Sequence, residues 1–257
     1  MATIVTLLAL NLVLVVGVFL VLWLLSLALR DASIVDPCWG LGFVLVAWYT
    51  FLTISSPGPR SVLILTLVTL WGLRLSAYLL WRNWGHGEDR RYGAMREKHG
   101  MRFWIVSLGT VFLLQAVLLW FISWPVQIGI LFGQQLWALD YAGALLCVVG
   151  IAFETIGDWQ LARFKRDPAN KGRVLDTGLW RYTRHPNYFG DFCVWWGLYL
   201  IAAAGWGWWT MLSPLVMSLF LMKVSGVTLL ESTIMERRPE YRDYIERTNA
   251  FFPGPPR

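Results

Sequence analysis

A short stretch between two apolar segments carries most of the polar chemistry of this chain. Residues 179–191 read LWRYTRHPNYFGD and combine cations, phenols, an amide and a carboxylate, at Arg181, Tyr182, Arg184, His185, Asn187, Tyr188 and Asp191. Arginine forms paired hydrogen bonds with phosphate oxygens. Pro186 is suited to the first position of a helix, whose N-terminus offers backbone N–H groups and a favourable dipole to an anion. The combination predicts a bound, highly charged organic cofactor.

Other ionisable residues fall inside apolar segments, where a charge is expensive and indicates a functional site. They occur at helical spacing in three sets: Arg74, Tyr78 and Arg82; Glu154, Asp158 and Lys165; Lys223 and Glu231. Spacings of four, eight and eleven residues place side chains on one helical face. These faces could bind phosphates, hydroxyls or an amide. The alternatives are structural ion pairs for Arg74, Asp158 and Lys223, and a solvent-directed head group for Arg82.

Asp36 stands directly before Pro37, at the start of an apolar segment. One interpretation is a helix cap, because aspartate before a proline at the first helical position is a common start signal. The other is a buried acid that donates a hydrogen bond to a substrate carbonyl. The sequence leaves both open.

The composition predicts an all-α, polytopic membrane protein. Hydrophobic residues make up 57% of the 257 residues and charged residues 15%, against about 25% charged in soluble domains. Several apolar runs reach the length of about 20 residues that crosses a bilayer as a helix. We expect one domain, residues 1–257, with about seven spans at 4–29, 34–54, 61–81, 104–124, 139–162, 187–204 and 210–230. The first run is interpreted as an uncleaved span, residues 125–138 as an interfacial or re-entrant segment, and residues 239–248 as a short helix.

Basic residues lie in alternate loops and in the tail, whereas the opposite loops carry Arg60 alone. The positive-inside rule then predicts an N-terminus outside and a cytoplasmic C-terminus. The long loops 82–103 and 163–186 share the cytoplasmic side, so the chemistry is expected there. The alternative is that these charges only set the topology and contact anionic lipid.

Two stretches carry a family resemblance: FETIGDWQLARFKRDPANKGRVLDTGLWRYTRHPNYFGD, which starts at Phe153, and LLESTIMERRPEY further on. They resemble the steroid 5-alpha-reductase-like membrane proteins, a superfamily that includes the sterol C14 reductases. The similarity extends more weakly to Asp36-Pro37 and to WGLRLSAYLLWR, and it is closest to an uncharacterised bacterial branch. The resemblance implies NADPH at the cytoplasmic end of the last spans. The expected cofactor-binding residues are Arg74, Arg82, Glu154, Asp158, Lys165, Arg173, Arg181, Tyr182, Arg184, His185, Asn187, Tyr188, Asp191, Lys223 and Glu231.

The resemblance further implies reduction of a carbon–carbon double bond in a lipid-soluble, steroid-like or other enone. Asp36 and Tyr78 are the expected catalytic residues. Trp71 stands where the steroid enzymes carry a tyrosine as partner acid, so either Asp36 works alone, or Tyr78 substitutes, or the substrate is not a 3-oxo-4-ene steroid. The substrate side would be mainly residues 1–125, and the cofactor side mainly 139–257 with loop 82–103. We expect a bacterial inner-membrane enzyme whose cofactor site faces the cytoplasm, with no metal and no nucleic-acid partner.

A second family shares the RHPxY turn and a closing E…P-E-Y segment, namely the isoprenylcysteine carboxyl methyltransferases, which bind S-adenosylmethionine. The cations at Arg74, Lys165, Arg181 and Lys223 favour a ligand with several phosphates, which S-adenosylmethionine lacks. A non-catalytic lipid binder and a purely structural bundle remain as further alternatives, and cofactor dependence distinguishes both from an enzyme.

Overall fold

The computed structural model describes residues 2–224, 227, 231 and 241–256. In these residues every regular element is helical, which confirms the predicted fold class. The α-helices are α1 (Ala2–Leu29), α2 (Val35–Thr53), α3 (Pro59–Asn83), α4 (Arg90–His99), α5 (Phe103–Ser107), α6 (Leu114–Ile122), α7 (Trp124–Leu131), α8 (Ala138–Arg166), α9 (Pro186–Ala204), α10 (Leu212–Leu219) and α11 (Tyr241–Arg247). A π-helical turn, Leu108–Leu113, joins α5 to α6, and another, Phe220–Val224, follows α10.

Long apolar helices make this a multi-pass membrane protein. Within the described part of the chain, five stretches are long and apolar enough to cross a bilayer: Thr3–Leu29, Ala32–Thr53, Pro59–Asn83, Arg90–Ile122 and Ala138–Arg166. Their outward faces expose large aliphatic side chains, such as Val13 at 69% and Leu145 at 65%. Lipid is the solvent in which such exposure costs nothing.

The described residues include only part of the predicted C-terminal elements. The predicted span 210–230 is seen as α10 and the following π-turn, and most of its remainder lies outside the described residues. The predicted tail helix 239–248 is confirmed over Tyr241–Arg247, whereas residues 239 and 240 lie outside them.

The chain divides into two compact units: Met1–Trp137 with Ala202–Thr210, and Ala138–Ile201 with Met211–Arg257. In the first unit, α2 and α3 meet backbone to backbone. A Cβ atom built on Gly40 would lie 2.5 Å from the Gly72 carbonyl oxygen. Small residues let membrane helices approach closely enough for packing forces to hold them together.

The segment after α6 forms α7, which is buried inside the first unit. Val126, Gln127, Ile128 and Ile130 have no exposed surface. The Ser61 hydroxyl of α3 donates to the Ile130 carbonyl at 2.7 Å. Residues 125–138 were expected to be interfacial or re-entrant, whereas α7 is buried within the first unit.

In the second unit, α8 and α9 pack along a seam of glycines spaced by seven residues, which recur on one face after nearly two turns. Gly143 opposes Gly197, and Gly150 opposes Gly190, with a built Cβ lying 2.5 to 2.6 Å from the opposing carbonyl oxygen. Gly157 faces the start of α9 at Pro186, where a built Cβ would lie 3.1 Å from the proline ring.

The seam predicts a specific sensitivity to one methyl group. Gly150→Ala forces the two backbones apart, so we expect the protein to lose about 1–3 kcal/mol of stability, the range seen for overpacked cores. Thermal unfolding of the detergent-purified variant measures the loss. Gly17→Ala in α1 is the matched control, because its built Cβ meets nothing within 4 Å. Equal melting temperatures for the two variants would contradict the seam.

Candidate functional site

The Asp36 carboxylate lies in the first turn of α2 and is held by two residues of α4. Its Oδ2 atom accepts from Arg91 Nη2 at 2.8 Å, and its Oδ1 atom accepts from the Tyr92 hydroxyl at 2.8 Å. The N-cap of α2 is Ile34, whereas Asp31 caps the short 3-10 turn Ala32–Ile34 by accepting from the Ser33 N–H. The capping interpretation of Asp36 is therefore wrong, because Asp36 lies inside α2, two residues past its cap. We call Asp36, Arg91 and Tyr92 the Asp36 cluster.

Helix α4 is fixed over the start of α2 by a second set of polar contacts. Glu88 Oε1 accepts from the Ala32 N–H at 2.8 Å, and both Glu88 oxygens accept from the Arg96 guanidinium at 2.7 and 2.9 Å. These Arg96 hydrogen bonds hold the pKa of the Glu88 carboxyl below its ordinary value, against the opposing effect of burial. The clamp positions Tyr92 and Arg91 against Asp36.

The predicted set on α3 shares a helical face, as its spacing indicates. Tyr78 packs against Trp81 with ring centroids 6.0 Å apart, and the Arg82 guanidinium lies 5.9 Å from the Tyr78 ring. Arg82 is exposed, whereas Arg74 and Tyr78 are half-buried. Asp36, Arg74, Tyr78 and Arg82 all belong to the first unit.

Buried acids of α8 lie beside the start of α9 in the second unit. Glu154 and Asp158 are 3% and 4% exposed. Asp158 Oδ1 accepts from the Asn187 amide at 3.4 Å, and Glu154 lies against Gly190, where a built Cβ would come within 2.7 Å of its Cγ. Asp191, one turn into α9, is also buried. The glycine seam brings these predicted residues together.

Exposed cations follow on the same unit. They lie near the end of α8 and in the segment leading to α9, and they include Arg163, Lys165, Lys171, Arg173 and Arg181. Tyr182 is exposed beside Arg181. A cavity of about 370 Å³ opens here, lined by Trp159, Gln160, Arg163 and the loop up to Gly178. The Arg163 guanidinium lies 5.5 Å from the Trp159 ring. Buried acceptors and exposed cations are thus both present in this unit.

Arg184, in contrast, is used within the chain. Its side chain is 8% exposed, pairs with Glu231 at 2.7 Å, and donates to the carbonyls of Ile245 and Thr248. His185 Nε2 lies 3.0 Å from the same carboxylate, and Tyr188 stacks on the His185 ring at 5.5 Å. Arg184, His185 and Glu231 lie together, and their contacts hold the C-terminal segment.

Further contacts complete this C-terminal latch, which joins residues 180–192 to Glu231 and to residues 244–254. The Arg184 N–H donates to the Asn249 carbonyl at 2.9 Å, and the Thr183 hydroxyl donates to the Phe251 carbonyl at 2.8 Å. The Tyr244 hydroxyl donates to the Trp180 carbonyl. Burial raises the pKa of Tyr244, so this phenol stays protonated. Lys223 is exposed on the π-turn after α10.

The sequence reasoning missed the Asp36 partners, the Glu88 clamp and the latch. Nothing in the sequence indicates that Tyr92 and Arg91 contact Asp36, because a helix in a loop can fold back in many directions. The glycine seam could have been found, since residues 143, 150 and 157 and residues 190 and 197 repeat at intervals of seven. The proposed roles of all these residues toward a cofactor stay predictions.

Loss of the latch carboxylate leaves the buried Arg184 guanidinium without its ionic partner. We expect Glu231→Gln to lower stability by about 1.5–3 kcal/mol, the value of hydrogen bonds to charged groups, and to speed proteolysis of the C-terminal segment. Glu246→Gln on the exposed face of α11 is the control. Unchanged proteolysis of Glu231→Gln would show that the latch does not hold the tail.

The Glu88 clamp should depend on pH. Folding lowers the pKa of the Glu88 carboxyl from its ordinary value of 4.5. The ionised carboxylate therefore stabilises the folded state at a pH above 4.5, and this contribution disappears as the pH falls through the lower pKa of the folded state. The melting temperatures of the wild type and of Glu88→Gln should differ at pH 7 and converge in acid. Exposed Glu97 provides the control substitution, Glu97→Gln. A difference that persists unchanged in acid would contradict the clamp.

Comparisons with known proteins find a distant relative and a family for this chain. It is 28% identical to an uncharacterised protein, C594.04c, of Schizosaccharomyces pombe, over 91% of this chain and 76% of that protein. No solved structure matches it. Residues 22–248 match the family described as a protein of unknown function, DUF1295. Since this match covers most of the sequence, the chain belongs to the DUF1295 family.

Proposed function

We propose that this protein is an NADPH-dependent reductase of a carbon–carbon double bond in a lipid-soluble enone. The observation that carries the proposal is in the second unit, where the buried acids Glu154 and Asp158 occur with Asn187 at a helix N-terminus and with exposed cations such as Arg181. The resemblance to the steroid 5-alpha-reductase-like superfamily points in the same direction, and we propose that the chain is a member.

The donor set fits a dinucleotide. Arginine and lysine side chains suit phosphate oxygens. The carboxylates and the amide can accept hydrogen bonds from the hydroxyls and the carboxamide of a nucleotide. Such bonds would offset the cost of burying these acceptors away from water. Arg181, Lys165 and Arg173 are the proposed phosphate ligands, and the exposed positions of their side chains leave them accessible to a ligand. We call the exposed cations of residues 163–181 the cation-rich rim. Its positive charge favours NADPH over NADH, because NADPH carries an additional phosphate.

When bound, NADPH supplies a hydride, and the protein must position the acceptor and stabilise the charge that develops on it. Asp36 is the proposed residue at the substrate oxygen, and Tyr78 is the proposed partner. The substrate enters from the bilayer between the first helices. Asp36→Asn should therefore spare NADPH binding but lower turnover.

The topology that goes with this activity has seven spans. The five long apolar stretches, α9 and the α10 region supply them. We propose an N-terminus outside and the cofactor side facing the cytoplasm of a bacterial inner membrane, where NADPH is available. The concentration of basic residues in alternate loops supports this orientation.

A second candidate is an S-adenosylmethionine-dependent methyltransferase of the isoprenylcysteine carboxyl methyltransferase type. The commitment of Arg184 and His185 to Glu231 favours it, since two of the predicted phosphate ligands already have an acidic partner. The buried carboxylates could also pair with the ammonium of S-adenosylmethionine. The exposed cations of residues 163–181 remain the argument for the dinucleotide.

The rim is tested by one substitution. Arg181→Ala should weaken NADPH binding by about 10- to 100-fold, because a charge-assisted hydrogen bond contributes about 1.5–3 kcal/mol. Energy transfer from tryptophan to bound NADPH, measured on protein in lipid nanodiscs, gives the affinity. The matched control is Arg242→Ala, an exposed arginine of α11.

Two results would count against the proposal. Equal affinity of Arg181→Ala and the wild type would remove Arg181 from the cofactor site. Thermal stabilisation of the wild type by S-adenosylmethionine, with none by NADPH, would replace the reductase by the methyltransferase, because a ligand stabilises only the protein that binds it.

A further inference from the structure

The ion pair with Arg91 makes the Asp36 carboxylate a poor proton donor. The carboxylate pairs with Arg91 at 2.8 Å, and the Arg91 side chain is 56% exposed. A guanidinium at this distance favours the ionised carboxylate, which can accept a hydrogen bond but cannot donate one. Asp36 in this state therefore needs another group to donate a proton to a substrate oxygen.

The position of Tyr92 suits it to donate a proton to the substrate oxygen. Its hydroxyl lies 2.8 Å from Asp36 Oδ1 and 3.5 Å from the Gln115 side-chain amide. Its ring is 6% exposed and is carried by α4, which the Glu88 clamp fixes to the start of α2. A phenol has one hydrogen to donate and two lone pairs to accept with. Once Asp36 takes up a proton, the phenol can accept a hydrogen bond from that carboxyl group and donate its own hydrogen to a substrate oxygen.

An apolar surface continues from Asp36 along α2. Asp36, Trp39 and Phe43 lie within one helical face, because they are spaced by three and four residues. The Trp39 and Phe43 rings are 5.5 Å apart, and Phe43 and Trp71 are 5.6 Å apart. Trp39 is half-buried, whereas Phe43 and Trp71 are fully buried. Trp39 is the accessible ring of this row, so a flat apolar molecule packed against Trp39 would bring a polar end to the Asp36 cluster.

We propose that Tyr92 is a catalytic residue that protonates the substrate oxygen, and that Asp36 returns the proton to Tyr92. This inference rests on the proposed enone reduction and names the acid in it. Tyr78 was the expected phenol, but its hydroxyl belongs to a ring that packs with Trp81 and Arg82 on α3. The Tyr92 hydroxyl, in contrast, donates a hydrogen bond to Asp36.

The proton steps balance. NADPH, when bound, would supply a hydride to the β-carbon, and the electrons of the double bond would then move to the carbonyl oxygen. The Tyr92 O–H bond breaks and an enol O–H bond forms. A proton that Asp36 has taken up from bulk solvent when the substrate binds then passes to the tyrosinate oxygen and restores the Tyr92 hydroxyl. The ionised carboxylate again accepts from Arg91 and Tyr92, and the enol becomes the ketone by moving its proton to the α-carbon.

The test uses the full-length protein in lipid nanodiscs, with progesterone, a 3-oxo-4-ene steroid, as the probe. Tyr92→Phe removes the hydroxyl and keeps the ring. We expect kcat for NADPH-dependent reduction to fall by about 100-fold or more, the range of general acid catalysis, with KM nearly unchanged. Tyr49→Phe, a half-buried tyrosine of the same α2 helix, is the control and should keep wild-type turnover.

A second readout needs no turnover. With carbon-13 at the enone carbonyl, infrared difference spectra of bound progesterone should show a lowered carbonyl frequency in the wild type and in Tyr49→Phe. Tyr92→Phe should lose this shift, because no phenol donates to the oxygen. If Tyr92→Phe fails to fold, Tyr92→3-fluorotyrosine keeps the ring shape, and its more acidic phenol should move the pH dependence of kcat toward lower pH.

The outcomes separate the two proposals. A wild type that does not reduce the probe with NADPH overturns the proposed function and this inference with it. A wild type that reduces the probe, together with a Tyr92→Phe variant that keeps most of its kcat and the carbonyl shift, overturns this inference alone. An unchanged pH dependence in the fluorinated variant also overturns it.

Discussion

The second unit depends on the close approach of α8 and α9. A membrane helix pair gains little from excluding lipid, so its stability comes from close packing. Gly150 and Gly190 allow carbonyl oxygens to come within reach of the opposing helix, and no side chain could occupy either position without moving the backbone. This approach also decides where the polar residues lie. Glu154 is pressed against Gly190, and Asp158 meets Asn187 at the start of α9.

The ionised groups follow one rule, which is that a buried charge needs a partner. Arg184 satisfies it with Glu231 and two carbonyls, and so becomes part of the C-terminal latch. Asp36 satisfies it with Arg91 and Tyr92. Exposed Arg181, in contrast, faces solvent. The same residue type thus serves structure at position 184 and remains accessible to a ligand at position 181, although the two arginines are three residues apart.

Much of this could be predicted from the sequence. Apolar length gave the membrane helices, and spacing by four placed Glu154 with Asp158, because both depend on the geometry of a single helix. The start of α9 at Pro186 was also predictable from the preference of proline for that position. Burial of α7 was not resolved, since an apolar segment of eight residues suits an interface as well as an interior.

Contacts between distant segments could not be predicted in the same way. Tyr92 reaches Asp36 across a separation of 56 residues, and Arg184 reaches Glu231 across 47. Neither pair has a local signal, because each depends on how a loop helix or a tail folds back. Trp71 illustrates the consequence. Trp71 replaces the tyrosine that serves as partner acid in the steroid enzymes, so the sequence did not identify the residue that donates the proton. The hydrogen bond of Tyr92 to Asp36 supplies a candidate.

The central claim is that the cation-rich rim and the buried acids of the second unit hold a dinucleotide. Mass spectrometry of the small molecules released from protein purified in mild detergent tests it most directly, because it does not depend on a chosen substrate. The account predicts NADPH or its oxidised form in near-stoichiometric amount. Release of S-adenosylmethionine or its demethylated product, or of no nucleotide from protein that also fails to take up added NADPH, would contradict it.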